Sequence, residues 1–99
     1  MTKPRLTQDE HIELGAKLAG MREELVHCQT QLARAYPRSG PEARAHQLIK
    51  SAVDDLDKAR SDMENQCFAE HPDTAATTDY YPHSEDRAAV VVPEARRAP

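Results

Sequence analysis

The side chains best suited to chemistry in this chain are a thiol and two imidazoles. Cys67 and His71 are four positions apart, one helical turn, and the helix pairing set out below places His11 opposite Gln66, beside Cys67. Thiolate and imidazole donors on one face are ligands that zinc takes. Against this, no fourth ligand is evident, Pro72 disfavours helical geometry at His71, and Cys67 also fits as a small apolar residue at a seam edge. No metal or cofactor is therefore expected from the sequence. Other arrangements are weaker. His27 and Cys28 are adjacent, and neighbouring helical residues do not face each other. Gly15 and Gly20 fall inside a helical pattern with no strand before them, so they form no phosphate loop. Asp54, Asp55 and Asp57 splay around a helix as a solvated face. With no nucleophile, base or small-molecule pocket in evidence, a non-enzyme is expected.

The elements that must carry these residues are two long helices. Thr7 and Glu10 form a capping-box pattern, and apolar or small residues recur at Leu14, Leu18, Met21, Leu25, Cys28, Leu32 and Ala35. Steps alternating four and three are the heptad spacing of a coiled-coil seam. Tyr36-Pro37 stops the run. Ser39 and Glu42 pattern a second capping box with Pro41 at an early helical position, and a second seam follows at Ala45, Ile49, Ala52, Leu56, Ala59 and Met63. His71-Pro72 closes it. The prediction is an all-α fold: an antiparallel hairpin over 7–71, with helices at about 7–36 and 41–70, each on the order of 45 Å long. A short turn forces the helices antiparallel. Pairing Leu32 with Ala45, Cys28 with Ile49, Leu25 with Ala52, Met21 with Leu56, Leu18 with Ala59 and Leu14 with Met63 brings every layer into register. This pairing sets Cys28 and Cys67 roughly 27 Å apart along the axis, too far for a disulfide.

Residues 1–6 are expected to be flexible and 72–99 mostly disordered, because the helical period vanishes after Pro72. Within that tail the valine run 90–92 is the one apolar stretch; it could add as a strand to a partner sheet, although a short disordered patch is the simpler reading. Aromatics make up 4% of the chain and charged residues 30%, so the core must be a thin aliphatic seam. The net charge of −4 disfavours nucleic-acid binding, which needs cations on phosphates. No apolar run approaches the roughly 20 residues of a membrane span, and the N-terminus carries no signal-peptide pattern. A small acidic cytoplasmic protein with reduced thiols is expected.

Partner contact is the function these features favour. A second stripe, Ile12, Ala19, Val26 and Ala33, repeats every seven residues on helix one, and Leu48 and Val53 flank the seam of helix two. A two-helix unit is marginal alone, so the stripe predicts packing against itself, as a four-helix bundle, or against another helical protein. Charge is also polarised. Arg34, Arg38, Arg44 and Lys50 stand against Glu42 near the turn, a net +3, whereas residues 4–26 and 51–73 hold five basic and twelve acidic side chains, a net −7. Antiparallel copies would lay each basic tip on an acidic base. An alternative is anion or nucleic-acid contact through Arg34, Arg38 and Arg44.

Tyr81-Pro82-His83-Ser84-Glu85 after the second helix has the Tyr-x-x-x-Glu spacing of an export signal. With its hairpin and tail, the chain resembles small helical-hairpin substrates of type VII secretion. The turn at 37–40 lacks that family's Trp-x-Gly, and Pro82 interrupts the signal. The resemblance implies an exported hairpin with Tyr81 and Glu85 in its signal.

Overall fold

The computed structural model describes residues 4–89. The chain is all-α: helix α1, Gln8–Ala35, and helix α2, Arg44–Glu70, pack antiparallel, with no strand among the described residues. The start of α1 follows the expected capping box. Thr7 Oγ1 accepts from the Glu10 N–H at 3.1 Å, and Glu10 Oε1 accepts from the Thr7 N–H at 2.9 Å. Tyr36 is extended, as a residue before proline prefers to be. The expected second capping box does not form. Gly40, at φ 84°, turns the chain instead, and a 3₁₀ turn at Pro41–Ala43 leads into α2 without a side-chain cap. No helix among the described residues is long and apolar enough to cross a membrane.

The most buried positions lie to one side of the expected seam on both helices, while Ile49, Leu56 and Met63 of that seam stay half-buried. On α2 the buried seven-residue repeat is Val53, Arg60 and Cys67, each one residue beyond the column that contains Ala45, Ala52 and Ala59. Ala45 and Ala59 are exposed and Ala52 is half-buried. On α1 the buried positions are His11, Gly15, Ala19 and Gly20, while Met21, Cys28 and Ala35 are exposed. The leucines between, at 14, 18, 25 and 32, are half-buried. The helix order is as expected, with Arg22 paired to Asp57 across the hairpin at 2.6 Å.

A third element packs on that side of the hairpin. Residues 72–89, expected to lack structure, fold back as a strap in the groove between the helices and then over α1. The strap contains 3₁₀ turns at Thr77–Asp79 and Ser84–Asp86. Tyr80 is completely buried, the Ala88 N–H donates to the Ala16 carbonyl at 3.1 Å, and Arg87 lies 3.8 Å from Glu23. Small residues on α1 make the close approach possible. A Cβ on Gly15 would fall on the Asp79 carbonyl oxygen, and one on Gly20 on the Ala88 carbonyl oxygen. The valine run 90–92 lies outside the described residues.

Candidate functional site

At the open end of the hairpin, the start of α1, the end of α2 and the strap meet in a buried polar cluster. His11 lies in the first turns of α1 and has no solvent-exposed surface. Its Nδ1 is 2.6 Å from the Tyr80 hydroxyl and its Nε2 is 2.9 Å from Glu70 Oε1. The carboxylate can only accept, so Nε2–H donates to Glu70 and Nδ1 accepts from the Tyr80 O–H. Gln66 donates to the other Glu70 oxygen at 2.6 Å. The bonds from Gln66 and then His11 hold the Glu70 carboxyl below its ordinary range. Burial, followed by the negative charge nearby, pushes the Tyr80 hydroxyl up to about 12.

Beside this chain sits Asp79, buried with Cys67. The Asp79 carboxylate accepts from the Ala76 N–H at 2.9 Å, from the Gln8 side-chain amide, and from the Cys67 thiol at 3.7 Å. Burial and then the Asp79 charge push the Cys67 thiol up, which keeps it protonated and inert. Arg60, buried on α2, donates from Nη2 and Nε to the Tyr80 carbonyl at 2.9 and 3.3 Å and lies 4.4 Å over the Tyr81 ring. A Tyr–His–Glu chain can relay a proton in principle, but the Tyr80 hydroxyl is sealed from any substrate. In this setting the cluster is a clasp that closes the strap on the hairpin, and every buried polar atom named in it has a partner.

The residues singled out from sequence fall in different places. Ala19 and Val53 are buried within the chain, at 3% and 6% exposure, so these two of the six positions are not available at the surface. Val26 and Ala33 are half-buried, and Ile12, exposed, borders a cavity formed with Thr78 and Pro82 of the strap. Leu48 is exposed at 55%. Arg34, Arg38 and Arg44 are all exposed around the turn. Tyr81 lies under Arg60, and Glu85 sits in the exposed turn Ser84–Asp86. Of the Cys67, His71 and His11 set, the two imidazoles do meet, with ring centroids 5.5 Å apart. Cys67 points instead to Asp79, and Glu70 takes its place. Sequence reasoning missed Arg60, Glu70, Asp79 and Tyr80. The available signals were a Tyr-Tyr pair in an aromatic-poor chain and two glycines inside one helix.

A second feature lies on the opposite side of the hairpin. Met21 and Cys28 are about 140° or more around α1 from Glu23, which meets the strap. On α2 the column of Ala45, Ala52 and Ala59 lies only about 60–100° around the helix from Arg60, at the flank of the buried positions. Met21, Cys28, Ala45, Ala59 and Leu48 are the exposed apolar or small residues of these columns and their margin. Fold and site thus define a helical hairpin clasped on one side by a strap. Comparison with protein-family models, curated proteins and solved structures returns no match.

Proposed function

We propose that this chain is a non-catalytic interaction module that self-associates through the face opposite the strap, two hairpins forming an antiparallel four-helix bundle. The observation that carries the reading is the placement of the heptad column. Met21 is 48% and Leu48 55% exposed, and Cys28, Ala45 and Ala59 are exposed as well, with no contact from the described residues of the strap to any of them. A contiguous apolar face marks an association site, and alanines beside leucines let helices approach closely.

A second copy is favoured as occupant by the charge distribution. A basic tip of +3 and an acidic base of −7 complement each other when two hairpins pack tip to base. This arrangement closes as a twofold dimer. Surface charge of this type sets orientation more than affinity. The twofold axis then crosses α1 near its midpoint, which puts Met21 against Met21 of the second copy.

The test is the solution mass of the full chain by light scattering across a dilution series, with far-ultraviolet dichroism. A helical dimer whose melting temperature falls on dilution is expected. Met21→Cys in a Cys28→Ser background should cross-link to itself, while Cys28 in the native chain should not. A well-folded monomer at every concentration would sink self-association, and the same face would then have to serve a different helical partner.

A further inference from the structure

The clasp has an outer side that its structural role does not explain. One ring nitrogen of His11, one of His71 and a carboxylate oxygen of Glu70 lie within 4.8 Å of one another. The three come from the start of α1, the last residue of α2 and its cap, so the closed hairpin brings them together. Two imidazoles and a carboxylate are a donor set that suits zinc and its first-row neighbours, leaving a fourth position for water.

Proximity is joined by the hydrogen bonds behind the donors. His71 Nε2 is 2.9 Å from the Leu6 carbonyl, which can only accept, so Nε2 carries the proton and Nδ1 the lone pair. His11 Nδ1 faces the Tyr80 hydroxyl, which can donate or accept. The His11 proton can therefore reside on Nδ1, with the Tyr80 oxygen accepting, and Nε2 becomes free for a cation. An imidazole whose far nitrogen is held by a carbonyl or hydroxyl is in the usual arrangement for a metal ligand. Glu70 is similarly prepared: its second oxygen is held by Gln66 at 2.6 Å and faces Arg5 at 3.6 Å, which leaves Oε1 toward His11. A cavity of about 410 Å³, lined by Arg5, Gln66, Ala69, Glu70 and His71, opens beside these atoms and offers both an entry path and room for water.

We infer that His11, Glu70 and His71 bind one divalent transition-metal ion of the zinc class, the ion replacing the proton shared between His11 and Glu70. Cys67 takes no part, since its thiol is buried and turned to Asp79 and Gln8. The bound ion links the two ends of the hairpin and stabilises the folded chain, because the unfolded chain holds no such site.

The test uses the full chain, stripped by chelator and titrated with Zn²⁺ alone by calorimetry. Co²⁺ is the spectroscopic probe, since four-coordinate Co²⁺ absorbs strongly in the visible. One equivalent should bind and the melting temperature should rise. Affinity should fall by at least about tenfold in His71→Ala and in Glu70→Gln, with dichroism confirming that each remains helical. It should be unchanged when Cys28→Ser, His27→Ala, His46→Ala and His83→Ala are combined to remove the exposed thiol and the imidazoles outside the site. Absence of saturable binding overturns the assignment. So does unchanged affinity in either site variant, or loss of binding in the combined control.

Discussion

At the scale of single residues, the clasp depends on Tyr80. Its hydroxyl is the donor to His11 Nδ1, and Tyr80→Phe leaves a fully buried ring nitrogen without a partner. An unfolding free energy lower by about 1–3 kcal/mol is expected from denaturant titration. The same hydroxyl predicts an alkaline limb. Tyr80 moves from an ordinary 10.0 to about 12 on folding, so between those values the unfolded chain has lost a proton that the folded chain keeps. Its contribution is complete below pH 10 and declines as pH rises toward 12, by on the order of 3 kcal/mol in all. Tyrosinate absorbance should show one tyrosine titrating late, and Tyr80→Phe should remove that part of the loss. Glu70 acts in the opposite direction: its carboxyl is held low in the fold, so its contribution is present above the ordinary carboxylate range and lost as pH falls below it.

At the scale of elements, the strap and α1 form one unit through their glycines. Alanine is ordinarily better than glycine inside a helix by about 1 kcal/mol. Here Gly15→Ala would set a methyl group on the Asp79 carbonyl, and Gly20→Ala one on the Ala88 carbonyl. The expected outcome is release of the strap with both helices intact: hydrogen exchange and limited proteolysis should show residues 77–88 losing protection while far-ultraviolet dichroism holds. Retained protection in both variants would mean that the strap packs less closely than described. The cap of α1 is a separate contribution. Thr7→Ala removes the acceptor for the Glu10 N–H and should cost about 1 kcal/mol, read from the thermal midpoint.

At the scale of the whole molecule, the face opposite the strap and the polarised charge act together. Met21→Glu places a carboxylate at the centre of the proposed dimer and, being exposed in the single chain, leaves the hairpin's own packing alone. Light scattering should report a helical monomer at concentrations where the native chain is a dimer. Raised salt should weaken tip-to-base preference more than it weakens association itself, because screening acts on exposed charge and leaves apolar burial in place.

Much of the architecture was legible along the chain. Thr7 with Glu10, the breaks at Pro37 and Pro72, and two heptad runs are local signals, and they determined two long helices, their ends and their antiparallel order. The start of α2 was read less well, because Gly40 supplied a turn through its backbone where Ser39 and Glu42 carried the pattern of a cap. The face each helix turns inward was decided only by tertiary structure. A period of three and four defines a stripe without saying what else packs beside it, and with the strap in place the most buried positions of α2 are Val53, Arg60 and Cys67, beside the expected column. The strap itself escaped notice because residues 72–89 hold to the hairpin through one buried tyrosine and long-range polar bonds, which leave no periodic trace. The helix register set His11 beside Cys67, one turn from His71, but the set was discounted and the contact of the two imidazoles came with the structure. Glu70 entered only when folding set the end of α2 against the start of α1, since its role rests on distances across the hairpin and not on spacing along it.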